Sequence, residues 1–220
     1  MCEDLSSENK VNDIDGNIYN SVAIGSQIWM TENLKVTKFS NGDPISKFDM
    51  SNWMDFETGE LFNTEIGDYS YYENDEELVQ QNGCLYNWYA VNDNRQIAPI
   101  GWHVPSLDDW NVLFNFLGGE LTVGDKLKMT GFNNWGSRKT NSDNSSGFSA
   151  VPSGFRSLDG LYKGLNYYCY WWTSTKFDEL RSWFCYLSYG VKYATFKNDL
   201  NCYGFSIRLV RDNFDYFHKT

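Results

Sequence analysis

The chain has only two histidines, and no two of its cysteines are spaced as CxxC. The usual zinc patterns need more His or Cys at closer spacing, so they are excluded. Basic residues are also scarce. The 18 Lys and Arg face 29 Asp and Glu, the net charge is −11, and no Lys/Arg cluster appears. A nucleic-acid binder needs a basic patch to displace counterions, so nucleic acid is set aside as a partner, and anionic membrane surfaces with it. No apolar run approaches the roughly 18 residues of a membrane span. No Pro-rich or Gly/Ser-rich linker divides the 220 residues. The expectation is one domain over residues 11–220, long enough to bury a sizeable core.

What is abundant is aromatic. The chain carries 9 Trp, 15 Tyr and 15 Phe, together 18% of the sequence. Aromatics supply large buried area, and also adhesive faces for sugars and proteins. The acidic residues are scattered apart from one short run at Glu73–Glu77, as on a solvated surface. Of the five cysteines, Cys2 follows the first Met and opens the polar run "CEDLSSENK". This pattern looks like the start of a mature bacterial lipoprotein, so residues 1–10 are expected to be a flexible tether lipidated at Cys2. Cys84, Cys169, Cys185 and Cys202 then remain, either as disulfides whose pairing the sequence leaves open or as buried free thiols.

Along the chain, Asp15-Gly16 and Asp159-Gly160 are hairpin turns, the first followed by a further strand through Ile28–Met30. The D-x-D-G piece at Asp13–Gly16 is similar to a calcium loop. A full EF-hand needs an oxygen ligand at Val11 and a Glu at Val22, so that reading is rejected. Residues 40–80 are loop-rich. "LYNWYAV", 85–91, reads as a short helical turn or two. Two helices follow. One begins in "GWHVPSLDDW", 101–110. Ser106 and Asp109 form a capping box, Trp110, Leu113, Phe114 and Leu117 make an apolar stripe, and Gly118-Gly119 ends it. The second is expected at 122–129, capped by Thr122 with Asp125 at N3. From Trp135 onward the aromatic segments "SGFSAVPSGFR", "YCYWWTST", "SWFCYLSY" and "YGFSIRLVRD" have strand length and strand composition. The fold class is α+β.

His103 precedes two Asp residues and invites a catalytic reading. Its nearby partners would be Ser106, Asp108 and Asp109. Ser106 and Asp109 are already used in the cap, and Asp108 and Asp109 suit the positive end of a helix. The reading favoured for His103 is a buried imidazole satisfied by backbone.

Six motifs, "DIDGNIYNSVAIGSQIWMTENL", "LYNWYAV", "GWHVPSLDDW", "SGFSAVPSGFR", "YWWTST" and "GFSIRLVRD", resemble in their order the Fibrobacter succinogenes major paralogous domain family, over about residues 11–212. The resemblance implies a C-type lectin-like fold, two helices packed on short antiparallel sheets, in the branch that includes the formylglycine-generating enzymes. It also implies a bacterial exported protein, at the cell surface or outer membrane and frequently lipid-anchored. Family members usually carry cysteines where this chain has Ala98 and Leu209. Their joint loss is what a disulfide in relatives, replaced here by apolar packing, would leave.

The expected function is non-catalytic surface recognition or adhesion, with a protein or glycan ligand and no cofactor or metal. The lectin calcium motifs E-P-N, Q-P-D and W-N-D are missing. Nothing places Cys169, Cys185 or Cys202 on the reactive cysteines of the formylglycine-generating enzymes. The expected ligand-binding residues are Tyr167, Tyr168, Tyr170, Tyr186, Tyr189, Tyr193, Asn198, Asn201 and Tyr203. Trp171, Trp172, Trp183 and Phe205 are assigned to the core. Tyr, Asn, Ser, Asp, Phe and Cys recur over 166–203, as in C-type lectin-like proteins diversified by retroelements that mutate adenines, so a diversified display protein is one form this function could take. The alternative is a structural cell-surface scaffold without a small ligand. An enzyme of the formylglycine-generating type ranks below both.

Overall fold

The computed structural model describes residues 10–50, 65–131, 135 and 142–212. Residues 1–9 of the expected tether, with Cys2, lie outside the described residues, and its last residue, Lys10, begins the first strand. Strands β1 (Lys10–Asn12), β2 (Ile18–Ile24) and β3 (Gln27–Met30) open the chain, and β4 (Ser46–Lys47), β5 (Asp68–Ser70) and β6 (Leu85–Tyr86) follow, with helix α1 (Val79–Asn82) before β6. Next come α2 (Trp88–Val91), α3 (Leu107–Phe116) and α4 (Val123–Leu127). Strands β7 (Ser153–Arg156), β8 (Tyr162–Leu165), β9 (Tyr168–Lys176), β10 (Arg181–Ser188), β11 (Ala194–Leu200) and β12 (Val210–Asp212) complete it.

The α+β class holds, with mostly antiparallel sheets and short helices. The described strands form three sheets, ordered β1-β2-β3-β12, β4-β5-β6 and β11-β10-β9-β7-β8. The first joins the two ends of the described chain, because Val210 pairs with Trp29 and Asp212 with Gln27. Both expected hairpins are present, β1–β2 and β7–β8. In the first turn Asp13 accepts the backbone N–H groups of Asp15 and Asn17 at 3.0 and 2.9 Å, the Asn17 amide at 2.9 Å and the Tyr19 hydroxyl at 2.6 Å. Four protein donors thus occupy the carboxylate that a calcium loop would offer to a cation.

Helix α3 begins as its sequence dictates. The Asp109 N–H donates to Ser106 Oγ at 3.2 Å, and the Ser106 N–H donates back to Asp109 Oδ2 at 2.8 Å. Trp110, Leu113 and Phe114 are buried, and Gly118 and Gly119 leave the helix at φ 98° and 95°, values a side chain resists. The second helix is shorter than its pattern, 123–127, and Thr122 does not cap it. Its hydroxyl instead donates back to the Gly118 carbonyl at 3.2 Å, because the turn from α3 holds Thr122 at that helix's end. In "LYNWYAV" only 88–91 is helical. Leu85 and Tyr86 pair with β5, and Asn87 caps α2 by accepting the Ala90 N–H.

The largest apolar cluster joins α3 to the inner face of β9–β11 through Trp29, Trp110, Trp171, Phe148 and Leu187. A second cluster lies under the first sheet and holds both Ala98 and Leu209, the two positions expected from the resemblance to have lost a cysteine pair. Two buried arginines tie the pieces together. Arg156 donates to Asp68 at 2.8 Å. Among the described residues Arg208 has no carboxylate partner of this kind. Its guanidinium donates to Asn33 Oδ1 at 2.8 and 3.1 Å and to the carbonyls of Met30 and Phe148, and burial pulls its pKa down to about 10.

Candidate functional site: a tyrosine face on the five-stranded sheet

Successive residues of a strand point to opposite faces of a sheet. In β9 this sends Cys169, Trp171 and Thr173 inward and Tyr168, Tyr170 and Trp172 to the other side. The β9–β10 register sets Tyr170 against Tyr186 and Tyr168 against Ser188, and β11 places Lys197 beside Phe184. One face therefore collects aromatics from several strands. Trp172, Phe184 and Phe205 are its buried floor, with Trp88, and Phe155, Tyr170, Tyr186 and Tyr203 are its partly buried rim.

The rings form a connected array. Tyr168 stacks on Tyr186 with centroids 5.9 Å apart, and Tyr170 meets Tyr186 at 5.1 Å and Phe155 at 4.7 Å. Tyr203 extends it past Phe155 at 6.3 Å. Tyr167 and Tyr189 meet edge to face at 5.2 Å and join through Tyr168. The Lys197 ammonium stands 4.9 Å from the Tyr186 ring centre. Burial, then the neighbouring phenols, raise the Tyr170 pKa, and burial raises that of Tyr186, so these two remain neutral hydrogen-bonding groups at physiological pH.

Of the nine residues expected to contact a ligand, six belong to this array: Tyr167, Tyr168, Tyr170, Tyr186, Tyr189 and Tyr203. Tyr193 is exposed in the β10–β11 connection and, among the described residues, shares no ring contact with them. Asn198 is not on this face. It lies opposite Trp183, in the alternation that points Phe196 and Ala194 inward. Asn201 is also a correction: it is buried, accepts the Ser182 hydroxyl at 2.7 Å and donates its N–H to Leu180 at 2.8 Å, so it closes the β10–β11 end. The core assignments hold for Trp171, Trp172 and Phe205 but not for Trp183. Trp183 is half-buried where the β9–β10 register breaks, and packs on exposed Phe177 at 5.2 Å. Phe155 and Lys197 were missed. The "SGFR" hairpin strand offered no sign that it would pair with β9.

His103 is not buried. Its backbone exchanges hydrogen bonds with Val210 at 2.9 and 3.0 Å, while its side chain is exposed and its Nε2 stands 3.4 Å from Asp109 Oδ2. The bridge to Val210 fixes the main chain and leaves the ring over the first turn of α3. The hydrogen bond with Asp109 raises the imidazole pKa against partial burial. Burial pushes Asp109 up, but the bonds from His103 and Ser106 outweigh it and hold it at about 2. The cysteines Cys84, Cys169, Cys185 and Cys202 are free and buried. Burial pushes the Cys169 thiol up to about 12, which makes it a poor nucleophile. Among the described residues no group of three His, Cys, Asp or Glu is placed to hold a metal, and no helix is long and apolar enough to cross a membrane.

The sequence profile of the Fibrobacter succinogenes major domain matches residues 22–211. The chain belongs to this family. The match takes in β3, α3 and all the strands that build the tyrosine face of this Fibrobacter major domain. No curated protein and no solved structure matches the chain.

Proposed function

We propose that this Fibrobacter major domain is a non-catalytic recognition module whose protein or glycan ligand docks on the tyrosine face. The observation that carries this reading is the connected array from Tyr167 to Tyr203, half in water over a buried aromatic floor. Tyrosine gives a large, rigid contact area with a polar tip at low entropic cost. The face is broad, which suits a macromolecular or glycan surface better than a small metabolite. The C-type lectin-like relationship is part of the proposal. It is supported by "GWHVPSLDDW" forming the start of α3 and by "GFSIRLVRD" running into the closing strand β12. So are the lipid anchor at Cys2, the bacterial surface location, and diversification of the tyrosine-bearing strands as a display surface.

The test is a glycan and host-protein array probed with the full chain, with and without calcium, beside the Tyr168→Ala/Tyr186→Ala variant. A ligand bound by the wild type and lost in the variant supports the reading. A clean negative favours the scaffold alternative, and a ligand retained by the variant moves binding off the tyrosine face.

A further inference from the structure

A second surface, remote in character from the tyrosine face, has the chemistry of a small-ligand site. A cleft of about 370 Å³ opens between the loop after α2, the segment at Trp102–Val104 and Ser174 of β9. That volume falls within the range of small-molecule pockets. Asn92, Asn94, Gln96, Trp102, His103 and Ser174 line it. Asn92, Asn94, Gln96 and Ser174 are exposed, and among the described residues their side chains have no hydrogen-bond partner. Each amide offers both donor and acceptor, and the hydroxyl can serve as either.

The walls are held in place. Gln96 adopts a left-handed backbone, φ 56°, uncommon for a residue with a side chain. Its carbonyl accepts the Ser40 N–H at 2.7 Å, its own N–H donates to Asp93 at 2.9 Å, and Ser40 Oγ donates to the Ala98 carbonyl at 2.6 Å. Arg95 grips Asp93 through both carboxylate oxygens, at 2.9 and 2.7 Å, and lies 4.0 Å over the Phe39 ring. The opposite wall is fixed by the His103–Val210 bridge and by the Ser174 N–H, which donates to Pro105 at 2.9 Å. The cleft is thus built before any ligand arrives, which lowers the ordering cost of binding.

Its chemistry points to one class of ligand. Among the described residues no Lys or Arg lines the cleft: Asp93 is already paired with Arg95, Asp109 and Asp212 face His103 at its rim, and Arg211 lies over Trp102, so an anion finds no lining Lys or Arg to pair with. Free amides and a hydroxyl match paired hydroxyl groups, which donate and accept in turn, and the part of the half-buried Trp102 indole left open by Arg211, 5.4 Å from the ring centre, offers an apolar surface for C–H groups. We propose that this cleft binds a neutral sugar without a metal ion, independently of the tyrosine face.

The experiment titrates the full chain, in the presence of EDTA, with millimolar glucose, galactose, xylose, N-acetylglucosamine, maltose and cellobiose, and with glucuronate as the charged counterpart. Indole fluorescence and the side-chain amide NMR signals report binding. The expected result is saturable binding of at least one neutral sugar, with shifts at the Asn94 and Gln96 amides and weaker or no binding of glucuronate. Asn94→Ala and Ser174→Ala, both on exposed side chains, should each weaken binding about tenfold, the equivalent of one hydrogen bond. Tyr168→Ala should leave it unchanged. Failure of every neutral sugar to saturate overturns the proposal. So does binding insensitive to both cleft variants, or tighter binding of glucuronate. Loss of binding in Tyr168→Ala alone would assign the sugar to the tyrosine face instead.

Discussion

On one side of β9, Cys169, Trp171 and Thr173 have no exposed surface; on the other, Tyr168 and Tyr170 keep part of their rings in water. The residues alternate along a single strand, so strand propensity and backbone pairing are the same for both sets. The difference lies in what covers them. The inner side is closed by α3, whose Trp110 meets Trp171 at 5.7 Å and whose Phe114 stacks on Phe196 of β11 at 5.2 Å. The outer side has the Trp88–Trp172–Phe205 floor beneath it and, among the described elements, no helix over its tyrosines. The same aromatic chemistry stabilises the fold on one face and is left available for contact on the other.

Truncating Trp171 should separate the two faces most widely. Its ring packs on Trp110 and Phe148, and its Nε1 donates to Asn33 Oδ1 at 2.9 Å. Trp171→Ala should cost about 3–5 kcal/mol in denaturant unfolding. Asn33→Ala comes next, at about 3 kcal/mol, because it strips the acceptor from both Trp171 and the buried Arg208 guanidinium. Tyr168→Ala, on the outer face, should cost only about 1 kcal/mol, the worth of its ring pairs. If Tyr168→Ala unfolds the protein as readily as Trp171→Ala, the outer face is core and the division fails.

The smallest effect belongs to neither face. The His103 imidazole should titrate above its ordinary 6.5 by NMR, and Asp109→Asn should bring it back down. The raised His103 value means its contribution is complete below about pH 6.5 and fades as pH rises through the folded pKa. Asp109, held at about 2 against an ordinary 3.8, contributes above about pH 4, and that contribution is lost as pH falls through about 2. For a pair this exposed the amplitude should stay below about 1 kcal/mol in pH-dependent unfolding.

Local chemistry made much of this legible. The Ser106–Asp109 box, the stripe from Trp110 to Leu117 and the two Asp-Gly hairpins are written in neighbouring residues, and each formed as read. The tyrosine positions were legible as strands of period two. Which phase faced outward was not, because aromatic residues occupy both phases in "YCYWWTST". Asn198 and Asn201 were misplaced for a related reason. A polar side chain near a strand end can face water or close a hairpin, and only the β10–β11 register decides. Trp183 follows from the break in register after Ser182, which no local pattern marks. The cleft at Trp102 depends on residues about eighty positions apart, from Asn92 to Ser174, brought together by long-range bonds such as Ser174 to Pro105 and Trp88 to Thr173.

The pairing of β3 with β12 has a kinetic side. The Met30 N–H finds its acceptor at Leu209, and the Leu34 N–H at Ile207. A chain that emerges from its N-terminus must therefore carry β3 with one edge unsatisfied until almost the whole sequence has followed. Contacts of such long sequence separation slow folding, and an open strand edge in the waiting intermediate is an invitation to pair with another chain.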